Sequence, residues 1–251
     1  MPFLTAGYPT LSHLAPLIGA VERGGASAVE IGFPFSDPIA DGPVIAASMH
    51  EALQLGTTPA DVFETVRTVR PQTDLGLLAM VSVSIVNRMG AASFVAEAAR
   101  SGLDGLIVPD LDVEDSDELV RLVDEHGLAL ALLVAPTTSP ERLRKIVSQC
   151  RGFVYVLARA GVTGEQNIAP DVAGRLDTIR AETDLPLAVG FGISTRQHVH
   201  AATESADAAI VGSALVRRIG EADDPVAEAE RMTRELASGL RGGSPEPAQS
   251  T

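Results

Sequence analysis

Residues 105–134, GLIVPDLDVEDSDELVRLVDEHGLALALLV, contain one complete strand–helix–strand unit. An apolar run, Gly105–Val108, opens the unit and a second apolar run, Leu128–Val134, closes it. Between them, Ser116 stands where a helix would begin and Gly127 where it would end, as helix caps usually do. Continuous apolar runs, rather than alternating ones, are typical of parallel strands buried on both faces. The stretch therefore predicts a parallel βαβ unit.

The same unit recurs along the chain. The eight apolar runs are Pro2–Ala6, Ala28–Gly32, Leu75–Val81, Gly105–Val108, Leu128–Val134, Phe153–Leu157, Leu187–Gly190 and Ala208–Val211. Further helices are expected to begin at Thr10, Thr58 and Ser139. Eight βα units in 251 residues predict an α/β fold, a single-domain (β/α)8 TIM barrel over residues 1–241. A doubly wound open sheet is disfavoured because no G-x-G-x-x-G follows the first strand. Residues 242–251, rich in Gly, Pro, Ser and Gln, are expected to be a disordered tail.

Composition excludes several classes of protein. The formal net charge of −14 argues against a nucleic-acid surface, which needs clustered Lys and Arg. No apolar stretch approaches the length of a membrane span, and no signal peptide is evident, so we expect a cytoplasmic protein. His198 and His200 are not at a helical ligand spacing, and no metal site is expected.

Glu30 is the first candidate for chemistry. It lies near the carboxyl end of an otherwise apolar strand, and TIM-barrel active sites gather at that end. A buried carboxylate is costly, and desolvation would raise its pKa into a range useful for proton transfer. The alternative is an ion pair with a basic residue behind the strand. The loop that follows adds Asp37 and Asp41, which are either functional acids or turn and cap residues.

Three glycine-containing turns follow the late strands. They are Gly161–Gly164, Gly190–Ser194 and Gly212-Ser213, and a short helix is expected directly after Ser213. Backbone N–H groups at such turns and at a helix N-terminus bind anions, and TIM-barrel phosphate sites lie after strands seven and eight. The sequence thus predicts a phosphate site, the alternative being glycines that only permit tight turns.

These motifs resemble one family. The stretch Val29–Pro43, VEIGFPFSDPIADGP, is similar to the α subunit of tryptophan synthase, and Gly152–Tyr155, Gly161–Gly164 and Gly190–Ile193 match it in order and spacing. The resemblance implies a lyase that splits indole-3-glycerol phosphate into indole and glyceraldehyde 3-phosphate by a retro-aldol reaction. It also implies no cofactor in this chain, with pyridoxal phosphate confined to a β subunit partner in an α2β2 assembly.

The resemblance also implies a role for each site residue. Glu30 would be the general acid–base, Asp41 would accept a hydrogen bond from the indole N–H, and Tyr155 would help place Glu30. The remaining site residues would bind substrate: Phe3 and Phe191 would flank the indole, Gly164, Gly192, Gly212 and Ser213 would hold the phosphate, and Thr163 would help close the site over Asp41.

The chain departs from the family pattern at several places. Ser82 and Ser84 replace a Tyr-x-Asn pattern, Asp112 stands where Pro is usual, and Tyr8 stands where many members have Asp. The sequence also begins almost directly on the first strand, without the helix that precedes it in the family. Absence of that helix is expected to expose apolar surface; the alternative is an incorrectly chosen start codon. These departures leave two alternatives to an α subunit: a free-standing lyase that releases indole to another pathway, and a non-catalytic α-like regulator of a β subunit.

Overall fold

The computed structural model describes residues 1–37, 42–157, 173–190 and 192–240. In that part of the chain, strands and helices alternate. The strands are β1 Phe3–Thr5, β2 Ala28–Gly32, β3 Gly76–Met80, β4 Gly105–Ile107, β5 Ala129–Ala131, β6 Leu133–Val134, β7 Val154–Leu157, β8 Leu187–Gly190 and β9 Ala208–Ile210. The helices are α1 Leu11–Arg23, α2 Pro43–Gln54, α3 Pro59–Val69, α4 Val83–Met89, α5 Ala91–Ser101, α6 Asp117–His126, α7 Pro140–Gln149, α8 Ala173–Arg180, α9 Arg196–Thr203, α10 Ser213–Glu221 and α11 Pro225–Ala237.

The strands form a closed parallel barrel. Strands β1 to β5 pair in order, and β6 to β9 pair in order. The two groups join at one side where β5 continues into β6 through Leu132, whose carbonyl accepts the Tyr155 N–H at 3.2 Å. They join at the other side through a parallel bridge between Pro2 and Val211. All eight predicted strands are present, and the barrel prediction is confirmed; the fifth strand differs only in being interrupted at Leu132.

Apolar side chains form two layers, one inside the barrel lumen and one between the strands and the surrounding helices. Leu78, Ile107, Ala131, Tyr155, Ala188 and Ile210 pack together inside the barrel. The residues that alternate with them pack outward against the helices in a larger cluster. In that outer layer, Phe33, Phe63 and Phe94 form a trio with ring centroids 5.2 to 5.8 Å apart. This two-residue alternation is what a strand buried on both faces requires.

Of the four helix starts that the sequence indicates, two have a side-chain capping bond, and those at Thr10 and Ser116 have none. Thr58 and Asp61 form a capping box at α3, and the Ser139 hydroxyl accepts the Arg142 N–H at α7. Ser116 is the cap residue of α6 but makes no side-chain capping bond. Instead, its buried hydroxyl donates to the Val113 carbonyl at 2.8 Å. The predicted helix start at Ser116 is therefore confirmed, but Ser116 does not cap the helix with its side chain.

The described residues contain three helices beyond the eight that surround a simple barrel, and two of them lie beside β1. Helix α2 follows β2, and α10 follows β9; each contacts β1, and they contact each other. Helix α10 begins three residues after the end of β9, on the side where the strands end, and α2 packs against it. This places three stretches of distant sequence together at one edge of the barrel mouth.

Candidate active site

Glu30 projects into the barrel lumen. Val29 and Ile31, on either side of it, pack into the outer layer, whereas Ala28 packs against the lumen cluster. Because strand side chains alternate, Glu30 shares the lumen face with Ala28. Only 1% of Glu30 is exposed. The alternative of an ion pair behind the strand therefore does not hold.

Burial governs the chemistry of Glu30. Desolvation raises the pKa of the Glu30 carboxyl from 4.5 to about 8, because a low-dielectric lumen disfavours the charged form. Its Oε1 atom is buried without a hydrogen-bond partner. A buried polar atom with no partner is costly and is typical of a group kept for binding or proton transfer. The carboxyl is thus neutral near pH 7 and able to donate a proton.

Phe3 flanks Glu30 on the neighbouring strand. The two residues are register partners in the β1–β2 pair, so their side chains lie next to each other on the lumen face. The Phe3 ring lies over Gly32 of β2, where an added Cβ would sit 2.7 Å from Phe3 Cε2. Any larger residue at position 32 would displace the ring. Gly32 therefore leaves the space in which the Phe3 ring packs beside the Glu30 carboxyl.

Tyr155, on the other side of the barrel, also packs against a glycine of the neighbouring strand. It belongs to the lumen cluster and is 8% exposed. Its ring lies against Gly190, the last residue of β8, where an added Cβ would be 2.6 Å from Tyr155 Oη. Phe3 and Tyr155 thus present two aromatic rings, each packed against a strand-terminal glycine. Sequence reasoning missed Gly32 as a site residue and included Gly190 only as part of a turn; a glycine inside a strand is the signal that indicates such close approach.

Of the three predicted anion-binding turns, Gly212-Ser213 and part of Gly190–Ser194 lie among the described residues. Gly192, after β8, has a φ of +72°, which favours glycine. Gly212 is the N-cap of α10, and Ser213 is the first residue of that helix. Its first backbone N–H groups have no partner within the helix and point out of its N-terminus. The helix predicted after Ser213 is present, one residue earlier than expected.

Four predicted site residues lie outside the described residues: Asp41, Thr163, Gly164 and Phe191. The N-cap of the helix that follows, α2, is Gly42, and Pro43 is its first residue.

Comparison with known proteins identifies the family. A family model described as tryptophan synthase alpha chain matches residues 1–242. A tryptophan synthase alpha chain from Solibacter usitatus is 42% identical over 242 residues, which are 95% of this chain and 91% of the relative. The tryptophan synthase alpha chain from Methanosarcina mazei is 43% identical over 241 residues, which are 95% and 87% of the two chains.

Solved structures agree. A structure of Mycobacterium tuberculosis tryptophan synthase superposes with a TM-score of 0.89 at 33% identity, covering 96% of this chain and 92% of that one. A tryptophan synthase complex from Pyrococcus furiosus gives a TM-score of 0.86 at 35% identity, covering 94% and 96%. The chain belongs to the tryptophan synthase alpha chain family.

Membership of the tryptophan synthase alpha chain family confirms the resemblance found in the sequence. It makes the chain a carbon–carbon lyase of tryptophan biosynthesis. Within the described ranges, no helix combines the length and apolarity that crossing a bilayer requires.

Two of the departures from the family pattern, Ser82 and Asp112, have local structural roles. The Ser82 hydroxyl donates to Asp110 Oδ2 at 2.6 Å and accepts the Ser84 N–H at the start of α4. Asp112 accepts the Glu114 N–H at 3.0 Å and pairs with Arg142 at 3.2 Å. The loops after β3 and β4 are therefore fastened to each other and to α7, and the substituted residues are part of that fastening.

Proposed function

We propose that this chain cleaves indole-3-glycerol phosphate to indole and glyceraldehyde 3-phosphate, with Glu30 as its general acid–base. The observation that carries the proposal is the Glu30 carboxyl, which is buried in the lumen of a member of the tryptophan synthase alpha chain family. Burial raises the pKa of this carboxyl to about 8. Such a group starts the reaction protonated near neutral pH, which is the form an acid catalyst needs.

Proton movement through Glu30 accounts for the bond cleavage. The Glu30 carboxyl donates its proton to the indole carbon that bears the glycerol phosphate chain. The ring then becomes an electron sink, and the resulting carboxylate takes the proton from the adjacent glycerol hydroxyl. The carbon–carbon bond breaks, its electron pair restores the aromatic indole, and the hydroxyl carbon becomes the aldehyde of glyceraldehyde 3-phosphate. Glu30 ends protonated, so no net proton is required.

The other site residues bind and stabilise. Asp41 accepts a hydrogen bond from the indole N–H and stabilises the positive charge that develops there. Tyr155 helps to place Glu30 and lines the pocket. The residues that hold the substrate are Phe3 and Phe191 at the indole, Gly164, Gly192, Gly212 and Ser213 at the phosphate, and Thr163 in the loop that closes over Asp41.

The proposal includes a partner. Indole is the product, and a β subunit that holds pyridoxal phosphate would consume it in an α2β2 assembly; the similar Pyrococcus furiosus structure is that of a tryptophan synthase complex. This chain itself would use no cofactor, and the reaction would take place in the cytoplasm. Family membership favours the α subunit over a free-standing lyase or a non-catalytic regulator.

Indole release tests the proposal. Purified chain is given indole-3-glycerol phosphate, alone and then with a saturating cognate β subunit. We expect slow release alone and a strong increase with the β subunit. Asp41→Asn should lower turnover strongly, with a smaller effect on phosphate binding. Fast release by the chain alone would indicate a free-standing lyase, and no release under either condition would refute the proposed activity.

A further inference from the structure

Helix α10 begins at the candidate phosphate site. Gly212 is its N-cap and Ser213 is its first residue. Because Gly212 has no side chain that could form a capping bond, the direction in which the first N–H groups point depends on the contacts along the sides of the helix. Helix α10 packs against β1, α2 and α11, so these elements determine how it lies.

Tyr8 lies where β1, α2 and α10 meet. It follows β1 in the chain, is half-buried, and donates its N–H to the Thr5 carbonyl at 3.2 Å. Its ring packs against an apolar cluster with members from all three elements, which are Phe3, Ile45, Met49 and Val216. Tyr8 is also the departure from the family pattern that the bonds of Ser82 and Asp112 leave unexplained.

The Tyr8 ring lies against α10 at Gly220. A Cβ added at Gly220 would be 2.9 Å from Tyr8 Cζ and 3.3 Å from Tyr8 Cε1. Such a carbon is too close to the ring to fit unless the ring or the helix moves. Gly220 lies inside the helix, where glycine is disfavoured. The ring of Tyr8, and not the helix backbone, therefore accounts for a glycine at this position.

Two carboxylates near the Tyr8 hydroxyl favour a neutral side chain at position 8. Burial, Glu51 of α2 and Glu221 of α10 raise the pKa of Tyr8 above its ordinary value, which keeps the phenol protonated. An aspartate at position 8, as many members of the family have, would face the like charges of Glu51 and Glu221. A neutral ring can pack between α2 and α10 without that repulsion.

We infer that Tyr8 is a positioning residue for the substrate phosphate: its ring, packed into the space that Gly220 leaves, sets the direction of α10 and thereby the place of the N–H groups at Gly212 and Ser213. The inference rests on the proposed function, because it assumes that the substrate phosphate binds at the start of α10. Gly220 and Ser213 are about 10 Å apart along the helix, at 1.5 Å per residue. A displacement at Gly220 therefore tilts the helix and moves its other end.

The Kd of glycerol 3-phosphate, measured by calorimetry, and KM for indole-3-glycerol phosphate report on these N–H groups. Gly220→Ala places a methyl group against the Tyr8 ring. We expect both constants to rise at least about tenfold, which is the effect of losing one hydrogen bond to a charged group. The value of kcat should change less than about twofold, because loss of binding shared by the ground state and the transition state raises KM alone.

Substitutions at position 8 test whether the ring is responsible. Tyr8→Phe keeps the ring and should retain most of the wild-type affinity. Tyr8→Ala removes the ring that supports α10 and should raise Kd and KM severalfold. Adding Gly220→Ala to Tyr8→Ala should then change both constants less than about twofold, because the group that the new methyl would meet is gone.

Gly174→Ala in α8 is the matched control. An added Cβ at this helical glycine meets nothing within 4 Å, so Kd and KM should stay at their wild-type values. Circular dichroism of each variant checks that the fold is intact. If Gly220→Ala does not fold, Tyr8→Ala tests the same expectation independently.

Four results would overturn the inference. Wild-type Kd and KM in Gly220→Ala, with normal indole release, would remove the positioning role and leave the proposed function standing. An equal effect of Gly220→Ala with and without the Tyr8 ring would assign the effect to the helix itself. A fall in kcat at unchanged KM would place the effect on the indole and not on the phosphate. A wild-type chain that does not bind glycerol 3-phosphate would remove the phosphate site and the inference with it. Failure of the proposed function looks different, since wild type with the β subunit would then release no indole.

Discussion

A carboxyl group in the lumen of a barrel destabilises the fold whenever it ionises, and Glu30 is such a group. Folding raises the pKa of Glu30 from 4.5 to about 8. Between these values the folded protein holds a proton that the unfolded chain has released. Stability therefore falls as pH rises through this window, and the loss is complete above about pH 8. The group proposed to serve catalysis thus costs stability at neutral pH.

Glu30→Gln should stabilise the protein increasingly as pH rises. The amide has nearly the same shape and never ionises, so it avoids the penalty. Each pKa unit corresponds to about 1.4 kcal/mol, and we expect the free energy of unfolding of the variant, relative to wild type, to increase by about 3 kcal/mol between pH 5.5 and 8.5. Urea unfolding at the two pH values measures this. A difference that does not change with pH would show that Glu30 titrates alike in the folded and unfolded states.

At the scale of single elements, the residue type at the end of a strand can be determined by the side chain that packs against it. Gly190 closes β8 with an ordinary backbone conformation, and the Tyr155 ring occupies the space where its side chain would be. The glycine is therefore required by a neighbour and not by the turn.

Gly190→Ala should displace Tyr155 and lower kcat/KM for the lyase reaction at least about tenfold, as misplaced site residues do. Gly174→Ala in α8 is the matched control, because an added Cβ there meets nothing within 4 Å. It should leave the rate unchanged and, since alanine favours helices, raise stability by up to about 1 kcal/mol. Equal kcat/KM values in the two variants would show that the packing of Tyr155 against Gly190 does not affect the reaction.

Elements were predictable from sequence where the signal is local. The apolar runs and cap residues give the eight strands and the helix starts at Thr10, Thr58 and Ser139, because both depend on neighbours within a few residues. The break at Leu132 was not predictable, since an apolar run has the same composition on either side of a bend. The contact between Tyr8 and Gly220 joins residues from opposite ends of the chain, and only the folded barrel brings them together.

At the scale of the whole molecule, two aspartates fasten corresponding strands on opposite sides of the barrel. Asp104, before β4, accepts the Leu77 N–H of β3 at 2.7 Å and pairs with Arg70 at 2.9 Å. Asp207, before β9, accepts the Leu187 N–H of β8 at 2.8 Å and pairs with Arg180 at 2.8 Å. The two clamps are alike in residue type and geometry, which indicates that both halves of the barrel secure neighbouring strands in the same way.

Asp207→Ala should destabilise the barrel. It leaves a strand N–H without its acceptor, which costs about 1–3 kcal/mol. The Leu187 N–H bond and the Arg180 pair lower the pKa of Asp207, so the wild-type advantage should shrink as pH falls through that lowered pKa. Urea unfolding near pH 7 and in acid checks both expectations. Asp184→Ala, an exposed change in the loop before β8, should have little effect; equal loss in the two variants would contradict the clamp.

The barrel could be predicted from the sequence, whereas the site could be predicted only in part. Eight βα units are enough to predict a closed barrel, and position in the strand marks Glu30 as a candidate. Whether Glu30 points into the lumen or the helix layer was open, because both faces of β2 are apolar and alternation gives no sign of direction. Ser82 and Asp112 appeared only as departures, and their bonds to Asp110 and Arg142 depend on loops from different units.

The most direct test of the account is the turnover of Glu30→Gln. Indole release from indole-3-glycerol phosphate is measured with the β subunit present, for wild type, for Glu30→Gln and for Glu125→Gln, which changes an exposed glutamate on α6. The account predicts that Glu30→Gln lowers kcat by about 10²–10⁴-fold, the usual contribution of general acid–base catalysis, with substrate binding retained and Glu125→Gln at the wild-type rate. Near-normal turnover in Glu30→Gln would contradict the assignment of Glu30 as the group that moves the proton.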